Sequence, residues 1–439
     1  MGLDPLQIPM LDGRIAIALA ALSHSLFATF IVGSSLIGAG IATAAYRTGR
    51  ASYERLAHMI AFTLVLTTGT ISFLGVTFVF CLNIFWPRFW HTIFHVMFWP
   101  FLIEAMLFLG EAVFAYAWYY LWSWTSGPGW QRRLHLSFVW IAAGCAATAM
   151  FIIDITASYM LTPDPVNAAW RNIFNPTMID LDVHRWFGNL TWAGFALAGL
   201  SAIGLIRART VSDQKHYRWA GRVCFSIGFA ALLVMPIIGY QYLLHVRYGQ
   251  PQSFETLMLG ERSWLFDLVA LLYGLLILLG SYYICRVVRS SSLRPASFDL
   301  FISISLLILV VAALVFAQPY HLQHIPFVSY LTDRQINPLG KMQPNKYFAM
   351  AFLVFFGFAN AIYFLRVLRH NDFTLAQNDR STPSILVALA LCSALIIVVM
   401  GWTRETARAA NGYLIYGHFA LQDEHATYDA PKSGRARED

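Results

Sequence analysis

Residues 14–46 read RIAIALAALSHSLFATFIVGSSLIGAGIATAAY, and after Arg14 they contain no formally charged side chain. About 20 consecutive apolar residues cover the hydrocarbon of a bilayer as a helix, so this stretch crosses with tilt to spare. Nine further runs follow, near 55–82, 92–123, 134–161, 184–207, 219–245, 263–287, 298–317, 347–367 and 383–401. None alternates with period two as the strands of a barrel do. The reading is all-α: a polytopic integral membrane helix bundle of about ten transmembrane helices in the lipid bilayer. Only 12% of the 439 residues are charged, about half the share in a soluble domain, and mean hydropathy is +0.57. Intrinsic disorder, a coiled coil and a secreted disulfide scaffold are excluded.

The net charge of +7 does not form a patch, because the basic residues sit in short breaks between apolar runs. No nucleic-acid partner is expected. The odd-numbered connections carry 15 Lys and Arg and the even-numbered ones 7, counting Lys346 among the latter. The positive-inside rule then places both termini on the outer side. Asp164, Asp180 and Asp182 in the fourth connection agree with that orientation. The start, MGLDPLQIPMLDGR, has no basic n-region and is read as part of the mature protein. The five cysteines approach neither CxxC nor CxxCH spacing, which argues against covalent haem attachment and a zinc ribbon. They read as small buried side chains.

Ionisable groups inside a span cost at least about 2.5 kcal/mol, so each needs a reason. Seven stand out: His24, His95, Glu104, Glu111, Asp154, His184 and Asp267. His24 is either a lone hydrogen-bonded histidine or an iron ligand, which a neutral imidazole suits. Glu104 and Glu111 are seven residues apart, nearly two turns, so they share one helix face about 10 Å apart. They suit a proton path to a buried site; a salt bridge to another helix is the alternative. His91 and His95 also share a face, where a metal lacks an evident third ligand and an aromatic belt with Trp86, Trp90 and Trp99 fits better. His321 and His324 fall in a loop and read as solvated. Asp154 and Asp267 have no partner nearby in sequence, leaving a water cavity or an inter-helix bond.

These residues stand in segments that resemble the large subunit of cytochrome bd-type oxidases. The first run is similar to that family's first helix, GTISFLG (69–75) to its second, and WPFLIEAMLFLGEAVF (99–114) to the PLAIE…ES segment of its third. ASYMLTPDP (157–165) resembles the GWMQNP-type end of the fourth, HRWFGN (184–189) the start of the fifth, and GWTRE (401–405) the GWxxxE motif. The resemblance implies that His24 and Glu405 are axial ligands of high-spin haem, with Trp402 in the same motif. It implies that His184 holds a low-spin b haem together with a methionine, and that Glu104 and Glu111 belong to the high-spin site and its proton route. The cofactors implied are two or three haems of b type, with a d-type chlorin left open.

The chain departs from the family pattern in four places. Only HVRYGQPQSFETLMLGER (245–262) stands where the family has a long quinol-binding loop. KYFAMAFLVFFGF (346–358) resembles the helix after that loop, with Leu353 at the position of the methionine ligand and Met350 one turn earlier; Met235, Met258 and Met342 are weaker alternatives. Glu104 and Glu111 are seven apart rather than eight. GWTRE places its Glu one residue early, and ARAANGYLIYG follows in place of GRQPW.

The expected organisation is a haem-binding six-helix part over 1–245, an inserted helix pair and outer loop over 246–346, two bundle helices over 347–401, and an outer polar tail over 402–439. The expected function is that of a haem-bearing subunit of a bd-like respiratory oxidoreductase in the bacterial inner (cytoplasmic) membrane. It takes electrons from a c-type cytochrome or quinol through low-spin haem to a high-spin site that reduces oxygen, beside a second membrane subunit. A cytochrome would meet the outer loops 162–183 and 318–346 and the tail. The alternatives are a non-catalytic haem relay or anchor in a larger respiratory complex, and a proton-coupled transporter.

Overall fold

The computed structural model describes residues 5–8, 12–125, 129–162, 174–260, 262–290, 297–318, 344–369 and 381–409. His321, His324, Met342, Asp164, loop residues 163–173 and 319–343, and residues 410–439 of the tail lie outside the described residues. Besides the single turn Trp122–Thr125, the helices are α1 (Gly13–Thr48), α2 (Ala51–Phe85), α3 (Pro87–Val96), α4 (Phe98–Tyr120), α5 (Trp130–Tyr159) and α6 (Met178–Arg207). They continue as α7 (Val211–Gly249), α8 (Pro251–Met258), α9 (Ser263–Arg289), α10 (Phe298–Phe316), α11 (Pro344–Arg369) and α12 (Ser381–Ala409). Ten of them, all but α3 and α8, are long and apolar enough to cross a membrane.

Local chemistry sets the boundaries. Asp12 accepts the Arg14 backbone N–H at 2.8 Å and caps α1, and Gly49 ends it at φ 65°, a conformation that suits a residue without Cβ. The third apolar run divides into α3 and α4, a break that apolarity alone conceals. Pro87 opens α3 and Met97 interrupts the helix at φ −109°, ψ 29°. Pro100 then falls in the first turn of α4, where its missing N–H has no intrahelical partner to lose. At the other end of the chain, α12 continues to Ala409, past the last apolar run, so Trp402 and Glu405 are helical.

The chain forms two compact units, one of Met1–Ala193, Gln241–Phe254 and Arg404–Asp439, the other of Gly194–Tyr240 and Glu255–Thr403. In the first, α1 packs on α2 and α5, and α4 on α5. Its core at the starting end of α1 joins Ile17, Leu82, Phe85, Phe89, Ile93 and Tyr159. In the second, α9, α10 and α11 pack together around the rings of Phe225, Tyr283 and Phe364. A buried hydrogen bond from Asn360 Nδ2 to Ser305 Oγ, 3.0 Å, ties α10 to α11.

Helix crossings in lipid favour small residues because backbones then approach closely. Gly33 is such a point: a Cβ there would stand 2.1 Å from the Asn189 carbonyl oxygen of α6. Gly33→Ala is expected to lower stability by about 1–3 kcal/mol through overpacking, read as a lower melting temperature in detergent. A melting temperature equal to the parent's would show that this crossing yields freely.

Candidate functional site

His24 projects from α1 towards α2, where a Cβ on Gly75 would lie 3.2 Å from its Cε1 and the Phe78 ring stacks at 6.2 Å. Its Nδ1 is buried without a hydrogen-bond partner. His184 stands near the start of α6, its ring 6.0 Å from that of Tyr242 on α7. Its Nδ1 is likewise buried and unpartnered. Buried polar atoms in proteins nearly always find a partner; these two are the imidazole nitrogens among the described residues' buried atoms that have none. Both keep some accessible surface.

Their placement follows from the crossing at Gly33, which also approaches the Ala193 Cβ. His24 precedes Gly33 and His184 precedes Ala193 by nine residues, about 13 Å of helix. The spans α1 and α6 are first and fifth of the ten, so alternation runs them in the same direction. Both imidazoles therefore sit at one depth. Arg185, next to His184 in sequence, lies close enough to act electrostatically on His24.

A cluster of charge completes this end of the unit. Asp154, fully buried on α5, is ion-paired with Arg185. The inter-helix bond thus holds over the water cavity for this residue. Arg408 Nη2 donates to the Ala157 carbonyl at 2.7 Å, and Nη1 pairs with Glu405 Oε1 at 2.5 Å. Arg404 Nε stands 3.7 Å from the same carboxylate, and the charges of Arg404 and Arg408 both act on Asp154. Ser158, Asn175, Thr162 and Thr177 form a buried hydrogen-bond chain beside it. Asp182, on α6 and within electrostatic reach of Asp154 and Arg185, adds a third carboxylate to the three guanidinium groups here.

Glu104 and Glu111 lie on the unbroken α4, so the shared face read from their spacing holds. Glu111 is 4% exposed and follows Gly110, where a Cβ would meet Cys145 Sγ at 3.1 Å. Among the described residues neither carboxyl forms an ion pair, so the salt-bridge alternative lacks its partner. Met350 and Trp402 belong to the second unit. Met350 is half-buried one turn after Lys346, and Leu353 is fully buried. Trp402 meets Trp264 edge-on at 5.3 Å. Asp267 accepts from the buried Lys346 Nζ at 2.6 Å; that lysine, counted as a connection residue, lies inside α11. Cys224, Cys285 and Cys392 are buried, Cys81 and Cys145 half-buried, and all five are free.

Sequence reasoning missed Arg185, Arg404, Arg408, Tyr242 and Lys346. The signal was there: an aspartate inside a span calls for a base on a neighbouring helix, and each base borders an apolar run.

The buried Nδ1 atoms of His184 and His24 fit haem iron, which imidazole nitrogen ligates, although the His24 ring also reaches the Ile71 backbone. The Glu405 carboxylate has about four lone-pair sites, so its bond to Arg408 leaves acceptor capacity. The chain is similar to the bd oxidase from Geobacillus thermodenitrificans, with a TM-score of 0.52 at 15% identity over 91% of this chain and 97% of that one; at that identity the likeness is one of fold. It is 24% identical over 180 residues to "Cytochrome bd ubiquinol oxidase subunit 1" of Bacillus subtilis (strain 168), a match spanning 38% of this chain and 35% of that protein. The chain therefore aligns with about a third of that curated relative's length. The family model described as "Cytochrome bd terminal oxidase subunit I" matches residues 13–432. With the all-helical fold and a family match over nearly the whole chain in agreement, this chain belongs to the cytochrome bd terminal oxidase subunit I family.

Proposed function

We propose that the chain is the haem-bearing membrane subunit of a bd-like respiratory oxidoreductase, taking electrons from an outer donor and reducing oxygen in a bacterial inner membrane. The observation that carries this reading is the pair of buried imidazoles, His24 and His184, with unpartnered nitrogens at one depth of the first unit. Haem iron, when bound, supplies one-electron transfer and oxygen chemistry. His184 would hold one group and His24 another, with Glu405 as a further ligand. Arg185, Arg404 and Arg408 gather at this end of the first unit and suit propionate groups, which guanidinium binds through paired hydrogen bonds. Glu111 and Glu104, on one face and without counter-charge, take and pass protons.

The donor reading favours a c-type cytochrome over a quinol. Between α7 and α9 stands only the eight-residue α8 with its short flanks, where the resemblance places a long quinol-binding loop. A second membrane subunit completes the assembly. The rival reading, a non-catalytic haem relay, draws on the Glu405–Arg408 bond, which already engages that carboxylate.

Carbon monoxide separates the two. A shift in the dithionite-reduced spectrum of the purified protein on adding carbon monoxide supports an open high-spin site; bound haem with no shift supports the relay. Glu111→Gln is expected to slow oxygen uptake at least about tenfold by removing a proton-transfer group, with haem bands unchanged. Uptake at the parent rate would dismiss Glu111 from the proton route.

A further inference from the structure

We infer that His91 and His95 form a second metal site, for a borderline divalent transition ion of the Cu2+, Zn2+ or Ni2+ class, apart from the imidazoles of α1 and α6. Phe89 and Ile93 are buried in the core at the starting end of α1. His91 and His95 follow each of them by two residues, about 200° around the helix, and so point away from that core. Both imidazoles are exposed. Among the described residues neither is hydrogen-bonded to the protein, so no partner has to be displaced.

Residues four apart on a helix hold their Cβ atoms about 5–6 Å apart, the spacing by which helical His pairs chelate one ion. The two rings open into a cavity of about 370 Å³, lined also by Phe94, Val96, Phe98 and Trp99. The recess is open to the surface, which leaves water access to the ion's remaining positions. Imidazole selects zinc, copper and nickel over magnesium and calcium, and copper binds most tightly among divalent first-row ions. Among the described residues no third His, Cys, Asp or Glu joins the pair. Arg88, the one formally charged residue of α3, stands a turn before His91 and opposes a cation. Both facts set the affinity below that of a closed structural site. An aromatic belt accounts for Trp90, Trp99 and Phe98; the two imidazoles share one exposed helix face and one recess.

The test is a titration of the purified full-length protein with buffered CuCl2, followed by electron paramagnetic resonance and calorimetry. The parent is expected to bind one more Cu2+ per chain than the His91→Gln/His95→Gln variant, with nitrogen hyperfine structure that the variant lacks. Each single substitution should weaken that event at least tenfold. Equal stoichiometry and affinity in the parent and the double variant would overturn the proposal. Unchanged haem bands in the variant confirm that it is folded.

Discussion

His184→Ala is expected to abolish the low-spin haem band in reduced-minus-oxidised spectra of the purified protein while the chain still inserts and packs. The imidazole forms no hydrogen bond through its buried Nδ1, so its removal deprives α6 of no inter-helix bond. The anchors of that helix lie elsewhere, in Trp192 Nε1 donating to the Leu26 carbonyl at 3.0 Å and in the close approach at Gly33. His24→Ala should instead remove the carbon monoxide response and leave the low-spin band. A His184→Ala protein with its low-spin band intact would assign that haem to another ligand.

The second large effect concerns stability. Asp154→Ala is expected to destabilise the protein by about 3–5 kcal/mol, because breaking a buried ion pair on one side leaves the other charge uncompensated. The cost is raised here by Arg404 and Arg408, which would then face Arg185 with Glu405 and Asp182 as the nearby anions. Asp154→Asn combined with Arg185→Gln removes both charges and should recover most of the loss, as pairwise coupling requires. Thermal unfolding in detergent reads both. Equal melting temperatures for Asp154→Ala and the parent would show that this pair is not integral to the first unit.

Much of the fold was legible because lipid imposes one strong constraint: a spanning segment must satisfy its own backbone. Long apolar runs therefore located all ten spanning helices. What escaped was structure with no signature in apolarity. The α3–α4 break depends on Met97 backbone angles and on the place of Pro100, within a run apolar throughout. Lys346 was read as a connection residue because a lysine beside a polar loop resembles a solvated one; its burial depends on Asp267, 79 positions away. Moving it inside a helix leaves the even connections still poorer in positive charge.

The candidate site divides in the same way. His24, His184, Glu104 and Glu111 were visible because each is costly in a span, a property of one position. Arg185, Arg404 and Arg408 were not, because arginine at the end of an apolar run is ordinary, and their role emerges only from the proximity of α5, α6 and α12 in the first unit. Pairing requires tertiary geometry that no single stretch of sequence carries.

The most direct test of haem binding by the first unit is a pyridine haemochromogen assay on the purified chain, with protein quantified by amino-acid analysis. Two or three haems per chain are expected in the parent, at least one fewer in either His24→Ala or His184→Ala. A parent protein with no tetrapyrrole, or single variants with the parent's full content, would contradict it.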